Sequence, residues 1–234
     1  MQSSAIIFEN PIKYQDALEF QYRLLEARQN DKISDCVLLL QHKPVVTIGN
    51  RGRENFLLKK IHEYRKIGID VHKIERGGDV TFHGPGQWVM YPILHLGKKN
   101  ADSHGYLYNL EEIAIRTLNN YSIEGFRREG KSGAWTERGK IAAIGFRLKK
   151  WVSFHGMSFN VMNKLDGFKT IVPCGLEGES VTSLENYIGN EINMNEVGVQ
   201  LLKNFSEICE REIVTYKDID LLPDSLKDLN PPRH

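Results

Sequence analysis

Four short stretches combine residue types that could do chemistry. In Arg76-Gly77-Gly78-Asp79-Val80-Thr81-Phe82-His83-Gly84-Pro85-Gly86-Gln87, four glycines let the backbone turn tightly and approach a ligand with no Cβ in the way. Their N–H groups can form a nest for an anion or a carbonyl oxygen, and Arg76 and His83 add a fixed cation and a titratable imidazole. The same glycines suit an ordinary sharp β-turn, and the spacing fits neither common glycine-rich phosphate loop. In Gly139-Lys140-Ile141-Ala142-Ala143-Ile144-Gly145 a lysine opens an apolar run. Partly stripped of water such an amine can serve as a base; alternatively it reaches solvent from a strand end. Val172-Pro173-Cys174-Gly175-Leu176 sets a thiol between proline and glycine, hence on a turn, where it is either a presented nucleophile or an inert thiol. In Phe154-His155-Gly156-Met157-Ser158-Phe159-Asn160-Val161, strand alternation puts Gly156, Ser158 and Asn160 opposite His155 and Met157. His155 then reads as a substrate contact or as a hydrogen-bonded core histidine.

These stretches must be held by regular elements. Asn10-Pro11 reads as a cap and first helical residue, and Tyr14, Leu18, Tyr22 and Leu25 continue an apolar stripe, so a helix is expected from Pro11 to about Gln29. Cys36–Leu40 and Val45–Ile48 read as buried strands around Lys43-Pro44, and Val71–Glu75 and Trp88–Leu94 as strands flanking the glycine-rich segment. Asp102 or Ser103 can cap a helix with Leu107, Leu110, Ala114 and Leu118 on one face. The chain from Phe126 to Val161 is strand-rich and glycine-punctuated. Asn193 can cap a last helix to about Glu212, and the tail from Leu222 looks extended. Helices and strands mix without regular alternation, which implies one α+β, or mixed α/β, domain over 1–234, with a core at about 6–184 and a helical extension at about 185–234.

Composition narrows the function classes. The chain has 234 residues, 41% hydrophobic and 26% charged, with 31 basic against 30 acidic side chains. That is globular, and it predicts no general attraction to nucleic acid or membrane surfaces. Three widely spaced cysteines make no disulfide framework, and Cys36 and Cys209 lie in apolar settings that read as packing. No signal-peptide pattern opens the chain and no apolar run is long enough to span a membrane, so a reducing cytoplasm is the expected setting. Eight histidines form neither HxxxH nor HExxH, and no metal is expected.

Taken in order, Arg-Gly-Gly-x-x-Thr-Phe-His-x-x-Gly-Gln, Gly-Lys-Ile-Ala-Ala-Ile-Gly, His-Gly-x-x-x-Asn-Val and Pro-Cys-Gly-Leu resemble the octanoyltransferases, also called lipoyl(octanoyl) transferases or the lipoate-protein ligase B family. The resemblance runs from about Ile6 to Leu184; Phe82 replaces a commoner tyrosine and Ser158 a usual alanine. It implies the biotin/lipoate protein ligase fold: a mainly antiparallel sheet flanked by helices, with a smaller second sheet. It also implies transfer of an octanoyl group from octanoyl-acyl carrier protein to one lysine of a lipoyl domain, as the first step of endogenous lipoate assembly. Acceptors would be 2-oxoacid dehydrogenase E2 subunits and the glycine cleavage H protein, with no cofactor. Cys174 would hold the acyl group as a thioester and Lys140 would be its partner. Arg76, Gly77, Gly78, Asp79, Val80, Thr81, Phe82, His83, Ala143, Ile144, Gly145, Gly156, Met157 and Ser158 would line the acyl site, with Ile144, Met157 and Phe82 walling an apolar tunnel. Competing readings are an ATP-dependent lipoate ligase of the same fold, a carrier-binding domain without activity, and a cysteine amidotransferase moving octanoyl between carrier domains.

Charge patterning adds an expectation independent of the motifs. Between Arg127 and Lys150, eight basic residues (Arg127, Arg128, Lys131, Arg138, Lys140, Arg147, Lys149, Lys150) face only Glu129 and Glu137. This is either a set of solvated strand faces or a rim that steers an acidic carrier protein toward Cys174.

Overall fold

The computed structural model describes residues 2–97, 102–172 and 179–232. Among them, a large sheet runs in the order β11-β1-β2-β6-β10-β9-β8-β7 and a small one in the order β4-β3-β5. The large sheet comprises β1 (Gln2–Ile12), β2 (Cys36–His42), β6 (Gln87–Ile93), β7 (Phe126–Arg128), β8 (Lys131–Thr136), β9 (Gly139–Lys149), β10 (Val152–Asn160) and β11 (Glu212–Tyr216). Its β11–β1 and β1–β2 pairs are parallel and the rest antiparallel. The small sheet comprises β3 (Val45–Ile48), β4 (Asp70–Lys73) and β5 (Val80–His83). This is the mixed, mainly antiparallel architecture with a smaller second sheet that the family resemblance implied.

Each face of the large sheet buries a separate apolar cluster. Helix α1 (Tyr14–Gln29) packs on one face through residues at helical spacing, among them Ala17, Leu24 and Leu25, against Phe8, Leu38, Leu40 and Phe154. Helices α3 (Ser103–Asn119) and α5 (Met194–Ile208), the latter preceded by the one-turn α4 (Glu185–Ile188), cover the other, where Leu110, Ala114, Leu118, Val197, Leu201 and Phe205 meet Leu39, Trp88, Met157 and Phe159. Asp102 caps α3, its side chain accepting from the His104 N–H, and Asn193 caps α5 in the same way from Asn195. The small sheet packs Val46, Val80 and Phe82 against Tyr64 of α2 (Ile61–Lys66) and against Phe168. The buried carboxylate of Asp35 ties the start of β2 to Arg28 of α1 at 2.7 Å and to Arg211, just before β11, at 3.1 Å.

Several boundaries differ from the sequence reading. Asn10-Pro11 does not open α1: β1 continues to Ile12, and Lys13 precedes the helix. The β1–β2 register shifts between Phe8 and Ile12, a bulge where a proline without an N–H is tolerated. The last helix stops at Ile208 rather than near Glu212, because Glu212–Tyr216 joins the sheet edge as β11. The tail is not wholly extended, since Asp224–Lys227 forms α6 and seats Leu226 under α1. From 185 to 232 the chain is not wholly helical, and α5 and β11 join the same core and sheet as the preceding elements.

Leu39 is fully buried between β2 and α5, where Gly198 lets the helix approach so closely that an added Cβ would stand 3.2 Å from the Leu39 Cδ2. Leu39→Ala should lower unfolding free energy by about 2–5 kcal/mol, the range for a buried leucine that leaves a cavity. Urea titration of the variant against wild type checks it.

Candidate active site

On the α1 face the helix covers only part of the sheet, and the small sheet takes over beyond it. At the join lies a cavity of about 220 Å³, lined by β5, β6, β9, β10, the Arg76–Asp79 loop, Tyr14, Arg51 and residues 130–132. Ala143 pairs with Ser158 and Gly145 with Gly156 across β9 and β10, a strip of small residues that leaves room above the sheet. The loop before β5 is fastened onto this strip. The Gly77 N–H donates to the Phe146 carbonyl at 3.0 Å, and a Cβ on Gly145 would stand 2.4 Å from the Gly77 oxygen. Only glycine at 145 permits that approach.

Arg76 is the fastener of the loop. Its guanidinium, in a residue only 8% exposed, donates to the Thr47 carbonyl at 2.8 Å, the Thr47 hydroxyl, the Gly77 carbonyl and the Asp79 carbonyl. It borders the cavity, but these N–H groups are spent on the protein's own oxygens.

His83 is buried and fixed in one tautomer. The Gln87 Nε2 donates to the Phe82 carbonyl and to Asn160 Oδ1 at 2.8 Å, so Gln87 Oε1 is an acceptor. At 2.7 Å from that oxygen, His83 Nδ1 must carry the proton, leaving Nε2 with a lone pair. Burial lowers the His83 pKa to about 4, with Arg76 adding to the effect and the Gln87 hydrogen bond opposing it. The chain of bonds continues, because Asn160 Nδ2 donates to the Thr182 carbonyl at 3.0 Å and the Thr182 N–H donates to the Lys140 carbonyl at 3.0 Å. Gln87 and Asn160 were quoted in the motifs but not assigned a role; as amides whose partners are distant in sequence, they carry no local signal.

His155 departs from strand alternation. Its φ of 56° is left-handed, which turns the residue toward the cavity beside Gly156 instead of leaving it with Met157. Neither ring nitrogen has a partner among the described residues, while its N–H donates to the Gln21 side chain at 2.9 Å. Burial, then Arg76, lowers its pKa to about 3, so the ring is neutral.

Lys140 is buried at the other end of the strip. Its N–H donates to the Ser180 carbonyl at 2.9 Å, so the chain leaving residues 173–178 runs beside it as a parallel bridge. Its amine lies 5.3 Å from the centre of the Trp135 ring, a cation–π distance. The stem crosses Gly133, whose φ is 122° and whose Cβ would stand 2.6 Å from the Lys140 Cε and 2.3 Å from the Ala142 oxygen. Glu179 pins the same stretch to the β7–β8 turn through Arg128, at 2.8 Å, and Lys131. Upstream, the Val172 N–H donates to the Phe56 carbonyl at 2.8 Å. Cys174 itself lies outside the described residues. Of the other thiols, burial raises both Cys36 and Cys209 to a pKa of about 12, which agrees with packing and not with nucleophiles.

The cavity thus gathers Arg76, Gly78, Asp79, Val80, Thr81, His83, Lys140, Ala143, Ile144, Gly145, Gly156, Met157 and Ser158. Gly77 sits behind the wall. Phe82 is a correction: on β5 it points away from Thr81 and His83 into the small sheet's core, 5.6 Å from the Phe168 ring, so it does not wall a tunnel. Ile144 and Met157 line the cavity and also belong to the apolar cluster under α3 and α5.

Residues 13–206 match the profile of the lipoyl protein ligase A/B catalytic domain. The octanoyltransferase of Caldicellulosiruptor saccharolyticus is 43% identical over 84% of this chain and 85% of its own length. The chain belongs to the octanoyltransferase family. Octanoyltransferases are acyltransferases of lipoate biosynthesis, and this assignment agrees with the resemblance carried by the four motifs. The fold is shared more widely. A lipoate-protein ligase A bound with ATP superposes with a TM-score of 0.79 at 16% identity, covering 98% of this chain and 92% of that one. The biotin protein ligase of Aquifex aeolicus superposes at 0.52 with 15% identity, covering 90% of this chain and 70% of that one. No helix among the described residues is long and apolar enough to cross a membrane.

Two outcomes follow from this geometry. Gly133→Ala should cut octanoyl transfer at least about tenfold while the protein stays folded, since the added carbon displaces the Lys140 stem in a backbone conformation that alanine resists; activity assays paired with circular dichroism check it. His83 and His155 stay neutral in the fold down to about 4 and 3, whereas in the unfolded chain they gain protons near 6.5. Their contribution to stability is therefore complete above pH 6.5 and is lost as pH falls toward 4, each group adding up to about 1.4 kcal/mol per pH unit. His155→Asn, which tolerates the left-handed backbone and does not titrate, should flatten the urea-midpoint profile across that window.

Proposed function

We propose that the cavity holds an octanoyl chain and that Cys174 and Lys140 carry it from a thioester donor to a lysine of a lipoyl domain. The observation that carries the reading is the placing of Lys140. Its backbone is bonded to Ser180 and Thr182, a few residues after Cys174 in the sequence, and it borders a cavity floored by small residues. A lysine so placed can favour a nearby thiolate while charged and accept a proton while neutral.

The Cys174 thiolate attacks the donor's thioester carbonyl, the donor leaves as a thiolate and takes a proton from the Lys140 ammonium, and the acyl group rests on Cys174 as a second thioester while Lys140 is left neutral. Little free energy changes, because one thioester replaces another. The neutral amine of the acceptor lysine then attacks, loses a proton to the Lys140 amine and expels the Cys174 thiolate. The product is an amide, more stable than the thioester, so the sequence runs downhill without ATP. The strip of Ala143, Gly145, Gly156 and Ser158 gives the acyl chain its room. Each methylene buried contributes about 0.8 kcal/mol, which lets the cavity's length discriminate among chains. The donor is octanoyl-acyl carrier protein. Acceptors are lipoyl domains, including those of E2 subunits and the H protein; the solved archaeal lipoylation system with this fold pairs a lipoate protein ligase with an E2 lipoyl domain.

Intact-mass analysis after mixing with a small octanoyl thioester, with no ATP, should reveal one octanoyl adduct. Cys174→Ala should abolish adduct and transfer, whereas Cys36→Ala and Cys209→Ala keep both. Lys140→Met should slow transfer by at least about a hundredfold, the usual lower range for losing a general acid–base group. Transfer that needs ATP and survives Cys174→Ala would instead establish an ATP-dependent ligase.

A further inference from the structure

The basic run at 127–150 is mostly neutralised by the fold. Arg127 pairs with Glu111 and Glu112, Arg128 and Lys131 with Glu179, Arg138 with Glu137 and Arg147 with Glu75. Lys149 and Lys150 are exposed but sit at the opposite end of β9 from Lys140, ~30 Å away at the rise of a strand.

Another surface carries charge that is not cancelled. Residues 51–67 contain Arg51, Arg53, Lys59, Lys60, Arg65 and Lys66 against only Glu54 and Glu63. All six cations are exposed, and none makes an ion pair among the described residues. Glu63 accepts the Lys60 N–H at 2.7 Å and keeps its charge beside Lys59 and Lys60, so the stretch carries a net charge of +4. On the same stretch Leu58, Ile61 and Ile67 are 59%, 43% and 53% exposed. Aliphatic side chains left in water and rimmed by like charge mark a contact surface. The stretch is also bonded to the chain just before Cys174 in sequence: Leu57 bridges Ile171, the Leu58 N–H donates to the Thr170 carbonyl at 3.0 Å, and Arg51 borders the cavity.

We propose that the 51–67 surface docks the acyl donor, an acidic carrier domain that presents its thioester on a long flexible arm. The proposal rests on the octanoyl-transfer reading of the cavity. The chain is nearly neutral as a whole, so a cluster of unpaired cations beside the cavity attracts an acidic partner locally and orients it. Reach decides between donor and acceptor. An acceptor lysine extends only its own side chain, so its domain must sit directly over the mouth. A thioester on an arm lets its domain rest alongside, on α2, while the acyl group enters past Arg51. Leu58, Ile61 and Ile67 supply the short-range apolar contact.

The test is the variant Lys59→Glu/Lys60→Glu/Arg65→Glu/Lys66→Glu, none of which lines the cavity. The KM for octanoyl-acyl carrier protein should rise at least about tenfold with kcat within about twofold, and the salt dependence of that KM in wild type should vanish. Turnover of a small octanoyl thioester and the KM for the lipoyl-domain acceptor should stay within about twofold of wild type. An unchanged donor KM overturns the proposal; so does a rise confined to the acceptor KM, which would give the surface to the acceptor. In case four reversals disturb α2, Lys59→Gln/Lys60→Gln is measured in parallel, and a donor KM equal to wild type there overturns the proposal too. If wild type forms no acyl-enzyme with the small thioester, it is the octanoyl-transfer reading that fails, whatever the donor KM does.

Discussion

A buried guanidinium must find oxygen acceptors for its N–H groups or pay a steep desolvation cost, and Arg76 finds them on Thr47, Gly77 and Asp79. Thr47 belongs to the small sheet, and Gly77 lies against Phe146 and Gly145 of the large one. One side chain therefore locks the junction at which the cavity exists. Replacing it with lysine would keep the charge but not the planar fork that meets these acceptors together. The same positive charge also helps keep His83 and His155 neutral, so the junction sets the protonation state of its own lining.

From His83 through Gln87 and Asn160 to Thr182 and Lys140, buried polar groups are satisfied in series. Each member restricts the next, down to the tautomer of the imidazole. In a low-dielectric interior such a series is rigid, because breaking any bond strands a polar group without water. Rigidity is useful here: the cavity wall and the strand beside Lys140 are held by one network, so their relative positions are set before any substrate arrives.

Much of this was legible in the sequence where the signal was local. Val45–Ile48 stood out as an apolar run after Lys43-Pro44, and Asn193 as a cap ahead of a clean helical stripe. Lys140, His83 and the small pairs of β9 and β10 were visible as residue types within motifs. What failed was decided by distant partners. Asn10-Pro11 has the local form of a helix start, but β2 holds the chain extended through Ile12. Phe82 was expected in the tunnel wall from the family resemblance, whereas its strand geometry sends it to Phe168. Arg127 and Arg128 looked like free charge because Glu111, Glu112 and Glu179, which neutralise them, lie elsewhere in the chain.

The parallel pairing of β11 with β1 has a consequence for how the molecule is made. Gln2 aligns with Glu212, so the outer neighbour of β1 is translated about 210 residues after it. Until then β1 is a sheet edge with unpaired backbone groups, while β2 already borders its other side. Asp35 likewise meets Arg28 from a neighbouring stretch of chain, whereas its second partner, Arg211, is distant in sequence. Contacts of such long sequence separation slow folding, and until they form the emerging chain stays open to mispairing along one edge. Translation of β11 is therefore the step that closes this edge of β1.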